Sequence, residues 1–302
     1  MQIREVDDRL CSSVVRERDM EPRTRLLVAL DPCAPAVGLG ALWSQHRDPD
    51  GVTVVLPADH LIEPLEDFSA ALRGAAEITR QRPGAIVVFG IPARHPETGY
   101  GYVERGRPIA DFEGRAAYEV QSFREKPDLE TARRYVASGE YFWNAGMFCF
   151  RSATMLERIA EHLPELAAGL ERLRPALGGE AFAAELARLY PTLEKQSIDY
   201  GVLEVCSERV VLETDFAWDD VGSWPALARH RKADADGNFV TGEVVSLDAS
   251  GNIVDAGGGL VALIGVRDLI VVRTDDVTLV CRAQDAERVK ELVQKVRDPR
   301  FL

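Results

Sequence analysis

The sequence predicts an α/β domain followed by a small β-rich domain, and three observations support this fold class. Apolar runs of strand length alternate with amphipathic helical stretches from Gly51 to about Leu212. The composition becomes polar and turn-rich near residue 233, in the segment ADADGNFVTG. Short β-rich runs separated by Gly, Asp and Asn follow this segment. We therefore predict one domain over residues 1–232 and a second over residues 233–302.

The first domain contains five runs that predict strands and three stretches that predict helices. The predicted strands cover residues 52–56, 85–89, 118–123, 147–150 and 209–212. The first two are continuously apolar, as expected for strands that are covered on both faces. Helices are predicted from Pro64, from the cap Asp128 to about Ala137 before Gly139, and over residues 153–193. Strands that alternate with helices favour a largely parallel sheet.

The second domain is predicted to consist of short strands and a closing helix. The predicted strands cover residues 244–247, 252–254, 260–264, 269–272 and 278–280. The helix is predicted over residues 285–296, where Val289, Leu292, Val293 and Val296 form one apolar stripe. Turns recur in this domain, but their spacing is too irregular to predict a repeat.

Charge and cysteine usage exclude several classes of protein. The formal net charge is −13, which makes nucleic acid and anionic membranes poor partners. No apolar run is long enough to span a bilayer, and the N-terminus does not resemble a secretory signal. The five cysteines are scattered, and no pair has the spacing of metal ligands. They predict reduced thiols in a cytoplasmic protein.

Three motifs with acidic residues could carry chemistry. LPADH, residues 56–60, follows directly on a predicted strand, so Asp59 could hold Mg²⁺ against a polyphosphate or could cap the next turn. WDDVGSW, residues 218–224, could supply a second metal carboxylate, or it could form a turn with solvated acids. In FREKP, residues 123–127, Glu125 could accept sugar hydroxyls and Lys126 could neutralise a phosphate. The alternative for these two residues is a surface charge pair.

Two further motifs combine glycine with aromatic residues. In YFWNAGMF, residues 141–148, Asn144 lies within an aromatic and apolar run, where an unpaired amide is costly to bury. Asn144 therefore either meets a ligand or caps a local turn, and Gly146 allows close approach to the backbone. In TGYGYVE, residues 98–104, the two glycines could place backbone N–H groups against a ligand or form an ordinary turn before a strand.

The order of the motifs along the chain is more specific than any one of them. The order is LPADHLI, TGYGYVE, FREKPD, YFWNAGMFCF, SIDYGVLE and WDDVGSW. In this order they resemble the bacterial mannose-1-phosphate guanylyltransferases, and GLVALIGVRDLIVVRTDDVTLVC is similar to the tail of that family. The resemblance extends from about residue 48 to the C-terminus. It implies an α/β fold with a Rossmann-like, GT-A-like mixed sheet and a small β-rich C-terminal domain.

The resemblance also implies a reaction and a set of site residues. GTP and mannose 1-phosphate would give GDP-mannose and pyrophosphate by in-line displacement at the α-phosphorus, with positioning and Mg²⁺ carrying the catalysis. Asp59 and Asp220 are similar to the family's two metal carboxylates, and together with Lys126 they are the implied catalytic residues. The implied sugar-phosphate residues are Gly101, Glu125, Lys126, Asn144 and Gly146. Pro57 and Ala58 would lie beside the nucleotide.

The N-terminal part of the sequence departs from the family pattern. The family opens with a strand and a loop of the form G-G-x-G-T-R-L-W-P that cradles the triphosphate, whereas the first glycine here is Gly38. Residues 28–36, VALDPCAPA, match a second nucleotide-contacting segment, E-P-x-G-R-N-T-A-P-A, only at its Ala-Pro-Ala end. We expect a sheet that is incomplete at its N-terminus, with an uncovered strand edge.

These departures leave two functions open. The chain could be an active guanylyltransferase, or a catalytically inactive relative that binds a sugar nucleotide or acts as a regulatory subunit. Two assemblies are compatible with the sequence, a homodimer or a pairing with an active homologue.

Overall fold

A computed structural model describes residues 4–5, 24–29, 33–57 and 59–298. The chain forms two compact units, Met1–Trp218 and Asp219–Leu302. The domain boundary predicted between residues 232 and 233 lies inside the second unit. Ala58, Cys11 (one of the five cysteines) and residues 30–32 of the segment VALDPCAPA lie outside the described residues.

Among the described residues, a mixed sheet of eight strands forms the centre of the first unit. The strands of this unit are β1 (Arg4–Glu5), β2 (Thr24–Ala29), β3 (Val52–Pro57), β4 (Leu61–Glu63), β5 (Ile86–Pro92), β6 (Tyr102–Phe112), β7 (Arg115–Arg124), β8 (Tyr141–Arg151) and β9 (Arg209–Glu213). The order across the sheet is β1-β2-β3-β8-β5-β9-β7-β6, with β4 outside it. The predicted mixed-sheet fold class is thereby confirmed.

The prediction of a largely parallel sheet, which was based on the alternation of strands and helices, is wrong. Only the β2–β3 and β5–β9 pairs of the described sheet are parallel. Strand β8 runs antiparallel to both β3 and β5, and β6 and β7 form an antiparallel hairpin. Alternation in sequence determines which elements follow each other, but strand direction depends on how the connections return to the sheet.

Strand β2 lies beside β3, with Val28 opposite Leu56 and Ala29 opposite Pro57. The sheet therefore continues beyond β3, and the expectation that the apolar strand edge would be uncovered is not met at this strand. The segment that provides β2 leads to the Ala-Pro-Ala residues with which the next helix starts.

Helices cover both faces of the sheet. Those of the first unit are α1 (Ala34–Arg47), α2 (Leu65–Gln81), α3 (Leu129–Ser138), α4 (Ser152–His162), α5 (Pro164–Glu171) and α6 (Phe182–Leu189). The predicted ends of α3 are confirmed, since the Asp128 carboxylate accepts a hydrogen bond from Thr131 N at 2.8 Å and Gly139 is left-handed with φ 70°. Alternate residues of β3 enter two separate cores, Val55 in one and Val54 and Leu56 in the other.

Helix α1 is an element that periodicity did not predict. Gly38 and Gly40 lower the helix propensity of this segment. A Cβ atom on Gly38 would lie 2.5 Å from Leu170 Cδ1, so the glycine allows α1 and α5 to pack closely. Tertiary packing, which a sequence window does not contain, therefore compensates for the weak propensity.

The second unit is β-rich, as predicted. Strand β10 (Ala217–Asp219) spans the division between the units, and α7 (Trp224–Arg229), β11 (Phe239–Leu247), β12 (Ile253–Ile264), β13 (Leu269–Arg273), β14 (Thr278–Arg282) and α8 (Val289–Val293) follow. Strands β11, β12 and β13 are parallel neighbours, and β14 is antiparallel to β13. Strand β12 joins two segments that were predicted as separate strands.

The recurring turns of this unit stack on one another. Phe239 lies opposite Ile253, and Ile253 lies opposite Ile270. Asn252 Nδ2 donates to Asn238 Oδ1 at 2.9 Å, and both asparagines are buried. The structure thus contains parallel coils where sequence spacing predicted no repeat, because a register shift between Thr241 and Glu243 makes the spacing uneven.

The predicted closing helix is divided. Residues Ala283–Arg288 form a 3₁₀ helix, and α8 continues from it. In the predicted apolar stripe, the side chains of Leu292 and Val293 are 52 % and 49 % exposed. Among the described residues, therefore, this part of the stripe is only half covered.

Candidate functional site

Strand register brings together three of the motifs singled out in the sequence. Tyr102 lies opposite Arg124 in the β6–β7 pair and opposite Trp143 in the β6–β8 pair. The residues next to these partners, Gly101, Glu125 and Asn144, consequently meet at one edge of the sheet. Together with Lys126 and Gly146 we call them the Asn144 cluster. It contains every residue for which the resemblance implies a sugar-phosphate role.

Gly101 is in close contact with Glu125. A Cβ atom on Gly101 would lie 2.4 Å from Glu125 Oε2 and 3.3 Å from Asn144 Cβ. Asn144 N donates a hydrogen bond to Gly101 O at 2.8 Å, so the backbone of Gly101 is also held by the neighbouring strand β8. The position therefore requires a residue without a side chain if Glu125 is to keep its place.

Asn144 is buried, and both ends of its amide have partners. Its Nδ2 atom donates to Asp199 Oδ1 at 3.1 Å, and its Oδ1 atom accepts from Gly146 N at 3.3 Å. The second contact is the local turn that sequence analysis gave as one alternative for Asn144. Gly146 has φ 66°, and a Cβ atom there would lie 3.7 Å from His60 Cε1 and from Pro57 Cγ. The Asn144 cluster therefore adjoins the end of β3.

Glu125 and Lys126 form an ion pair at the rim of the cluster. Lys126 Nζ lies 3.2 Å from Glu125 Oε1, with side-chain exposures of 60 % for the lysine and 11 % for the glutamate. Burial alone would lower the pKa of Lys126, but the Glu125 carboxylate, followed by Tyr200 and Asp199, raises it, and the net effect is a raised pKa. The ammonium group is thus held in its charged form while it remains accessible to an anion.

Asp199 is a member of the site that sequence reasoning did not assign. It is buried, it starts a π-helix over Asp199–Leu203, and its carboxylate accepts from Ser197 Oγ at 3.1 Å. Burial, followed by the nearby Glu125 carboxylate, raises its pKa to about 6. The available signal was the motif SIDYGVLE, residues 197–204, which belongs to the motif order but to which no role was given.

Two predicted site residues lie at or just after the end of β3: Pro57, predicted to lie beside the nucleotide, and Asp59, predicted to bind the metal ion. Pro57 is half-buried and Asp59 is exposed, while Ala58 lies outside the described residues. His60 Nδ1 accepts a hydrogen bond from Trp218 Nε1 at 3.1 Å, and the two rings meet edge to face. This contact orients the loop that carries Asp59.

Asp220, the second predicted metal ligand, belongs to the second unit. Its Oδ1 atom accepts from Gly222 N at 3.1 Å, which matches the turn given as the alternative for this motif. Asp219 is buried, and its Oδ2 atom lies 2.9 Å from Arg229 Nη2 and 2.8 Å from His230 Nε2. Asp59 and Asp220 lie in different units, so their convergence on one metal ion stays a prediction.

Comparison with known proteins identifies the class of protein. Residues 14–237 match the family model described as Nucleotidyl transferase, and residues 242–296 match the model described as MannoseP isomerase/GMP-like beta-helix domain. The chain therefore belongs to the nucleotidyl transferase family. In the part of the chain that the structure describes, no helix is both long and apolar enough to cross a membrane.

The individual relatives narrow this class, and they confirm the resemblance seen in the motif order. The chain is 38 % identical to the mannose-1-phosphate guanylyltransferase of Escherichia coli K12 over 267 residues, which cover 87 % of this chain and 55 % of the relative. It is 39 % identical to Mannose-1-phosphate guanylyltransferase ManC of Salmonella typhimurium, with the same coverage. The chain thus spans about half the length of these curated relatives.

A solved structure supports the same grouping. It is described as mannose-1-phosphate geranyltransferase from Thermus thermophilus and is 36 % identical, with a TM-score of 0.73. The match covers 89 % of this chain and 76 % of that one. It extends the similarity from sequence to the arrangement of strands and helices.

Proposed function

We propose that this chain transfers a guanylyl group from GTP to mannose 1-phosphate, giving GDP-mannose and pyrophosphate. The observation that carries the proposal is the Asn144 cluster. It combines a carboxylate for hydroxyl groups, a buried amide and a charged ammonium group within one set of direct contacts. Relatives named as mannose-1-phosphate guanylyltransferases support the choice of sugar and base.

Each member of the cluster has a distinct part in the proposed reaction. Glu125 accepts hydrogen bonds from the hexose hydroxyls, and Lys126 offsets the charge of the sugar phosphate, which is the nucleophile. Gly101 and Gly146 let the hexose approach the backbone. The protein aligns two anions that would otherwise repel each other, so the gain comes from positioning rather than from a covalent intermediate.

Mg²⁺ is the cofactor that fits the proposed chemistry. Among the residues that the structure describes, no group of three or more His, Cys, Asp or Glu side chains could hold a metal ion. Mg²⁺ bound to a nucleotide needs only one or two carboxylates, because phosphate and water oxygens complete its coordination. Asp59, exposed at the end of β3, and Asp220 are the proposed carboxylates. When bound, the ion would offset the charge of the triphosphate.

Pyrophosphate release tests the proposal directly. The purified chain is given GTP, mannose 1-phosphate and Mg²⁺, with Asp59→Asn as the test variant and Asp111→Asn, an exposed carboxylate at the far end of β6, as the matched control. We expect the wild type and Asp111→Asn to release pyrophosphate at equal rates, and Asp59→Asn to be slower by about 100-fold or more. Full turnover by Asp59→Asn would contradict the assignment of this carboxylate.

A second function is favoured by the start of α1. Cys33 occupies its N-cap position without a side-chain hydrogen bond to the helix, where the family pattern has polar residues that contact the nucleotide. This difference favours a chain that binds the sugar phosphate or GDP-mannose without turning it over. Calorimetry with mannose 1-phosphate and GDP-mannose distinguishes the two functions, since binding without pyrophosphate release would support the second.

A further inference from the structure

The segment 197–204 contacts the Asn144 cluster at two points. Asp199 Oδ1 accepts the hydrogen bond from Asn144 Nδ2 at 3.1 Å. At the other end of the segment, Glu204 Oε1 accepts a hydrogen bond from the backbone N of Glu125, also at 3.1 Å. One contact holds the side chain of a cluster residue, and the other holds the backbone of a second.

The segment is itself well anchored. Ile198, Val202 and Leu203 are fully buried in the core that also contains α1 and α4 residues. The Ser197 hydroxyl bonds to the Asp199 carboxylate at 3.1 Å and accepts from Asp199 N at 3.2 Å. Asp199–Leu203 form a π-helix, and such helices are frequent at functional sites. The segment is therefore fixed in the core and holds two residues of the cluster, Asn144 and Glu125, by hydrogen bonds.

We propose that Asp199 and Glu204 are positioning residues that orient Asn144 and Glu125 for mannose 1-phosphate. This inference rests on the function proposed above. Without the Asp199 carboxylate, the buried Asn144 Nδ2 group would lose its partner, and only the contact of Oδ1 with Gly146 N would hold the amide. Without Glu204, the backbone of Glu125 would lose its anchor at the turn where Lys126 has φ 44°. Both changes would disorder groups that touch the hexose but would leave the nucleotide end of the site intact.

Four substitutions test the two contacts. Asp199→Ala and Glu204→Ala remove the acceptors, whereas Asp199→Asn and Glu204→Gln keep one carbonyl acceptor of nearly the same shape. Asp111→Ala is the matched control for removal of an acidic side chain. Affinity for mannose 1-phosphate alone is measured by calorimetry, and KM for each substrate and kcat by pyrophosphate release. Circular dichroism of each variant verifies the fold.

We expect each alanine variant to bind mannose 1-phosphate about 10- to 100-fold more weakly, with KM for GTP changed by less than about threefold. Asp199→Asn and Glu204→Gln should recover most of the affinity. If Asp199→Ala fails to fold, Glu204→Ala still tests the same prediction from the other end of the segment.

The outcomes separate this inference from the function on which it rests. Unchanged binding by folded Asp199→Ala and Glu204→Ala, beside a wild type that binds, would overturn the positioning role alone. An equal loss for mannose 1-phosphate and GTP would also overturn it, since that pattern indicates a general structural defect. Absence of binding and turnover in the wild type would overturn the proposed function, and this inference with it.

Discussion

The absent side chain of Gly101 makes room for the Glu125 carboxylate, for which we propose a role in binding the hexose. The Cβ atom of any other residue at position 101 would lie 2.4 Å from the Glu125 carboxylate, well inside van der Waals contact. The atom that must give way is the end of a side chain rather than backbone. A substitution here should therefore displace Glu125 and leave the fold intact.

On the role proposed for Glu125, the substitution Gly101→Ala should raise KM for mannose 1-phosphate about tenfold, because a displaced Glu125 would lose at least one hydrogen bond to the sugar, worth roughly 1.5 kcal/mol. KM for mannose 1-phosphate is the quantity to measure. Gly258→Ala is the control, since a Cβ atom there would have no heavy atom within 4 Å. Equal KM values for the two variants would show that Glu125 does not contact the sugar.

Asp199 should make the stability of the protein depend on pH. Its pKa rises from 3.8 to about 6, so the folded state binds a proton between these values that the unfolded state does not. The stability contributed by the group is therefore present at low pH and decreases as the pH rises from about 4 to about 6. The loss amounts to roughly 3 kcal/mol at most.

This prediction is checked by urea unfolding of wild type and Asp199→Asn between about pH 4 and pH 7. Because the asparagine does not titrate, the free energy of unfolding of the variant should rise relative to wild type by up to roughly 3 kcal/mol over this range. Asp111→Asn, which changes an exposed carboxylate, should show a constant difference. A constant difference for Asp199→Asn would mean that its pKa is not raised.

The parallel coils of the second unit depend on a ladder of two buried asparagines. Asn252 donates to Asn238 Oδ1 and to Val266 O, and it accepts from Leu269 N at 3.1 Å. Each contact lies where one coil turns into the next. The ladder therefore adds side-chain hydrogen bonds to backbone groups at these turns, among them Leu269 N.

We expect Asn252→Ala to destabilise the second unit by about 1–3 kcal/mol, since it removes three side-chain hydrogen bonds at a buried position and leaves Leu269 N without its side-chain acceptor. Hydrogen exchange should show faster exchange of amides in β12 and β13 and unchanged protection of β5 and β9 in the first unit. Glu243→Ala, an exposed position on β11, is the control and should leave both patterns as in wild type. Uniform loss of protection in both units would show that they unfold together.

The net charge of the whole molecule should determine how its solubility depends on pH. The net charge of −13 at pH 7 gives copies of the chain a long-range electrostatic repulsion, and the sequence pI is about 5.0. Solubility should therefore pass through a minimum near about pH 5 and recover above about pH 6, as measured by light scattering of a pH series. A minimum at another pH would indicate that association is governed by a surface patch rather than by net charge.

Predictions from sequence were most accurate where the signal is local. The caps of α3 are a single carboxylate at Asp128 and a left-handed Gly139, and both are confirmed at the predicted positions. The apolar run at residues 52–56 is a strand buried on both faces, as its composition requires. Helix α1 was missed, because its support is the contact of Gly38 with Leu170 across the fold.

Sequence alone determined the family, the order of the motifs and the chemical identity of the residues in the Asn144 cluster. Only the tertiary structure decided the direction of β8, the pairing of β2 with β3, and the contact of Asp199 with Asn144. The physical reason is the distance along the chain over which each interaction acts. Capping, periodicity and residue type act within a few positions of the chain, whereas Asp199 and Asn144 are 55 residues apart and meet only through the folded core.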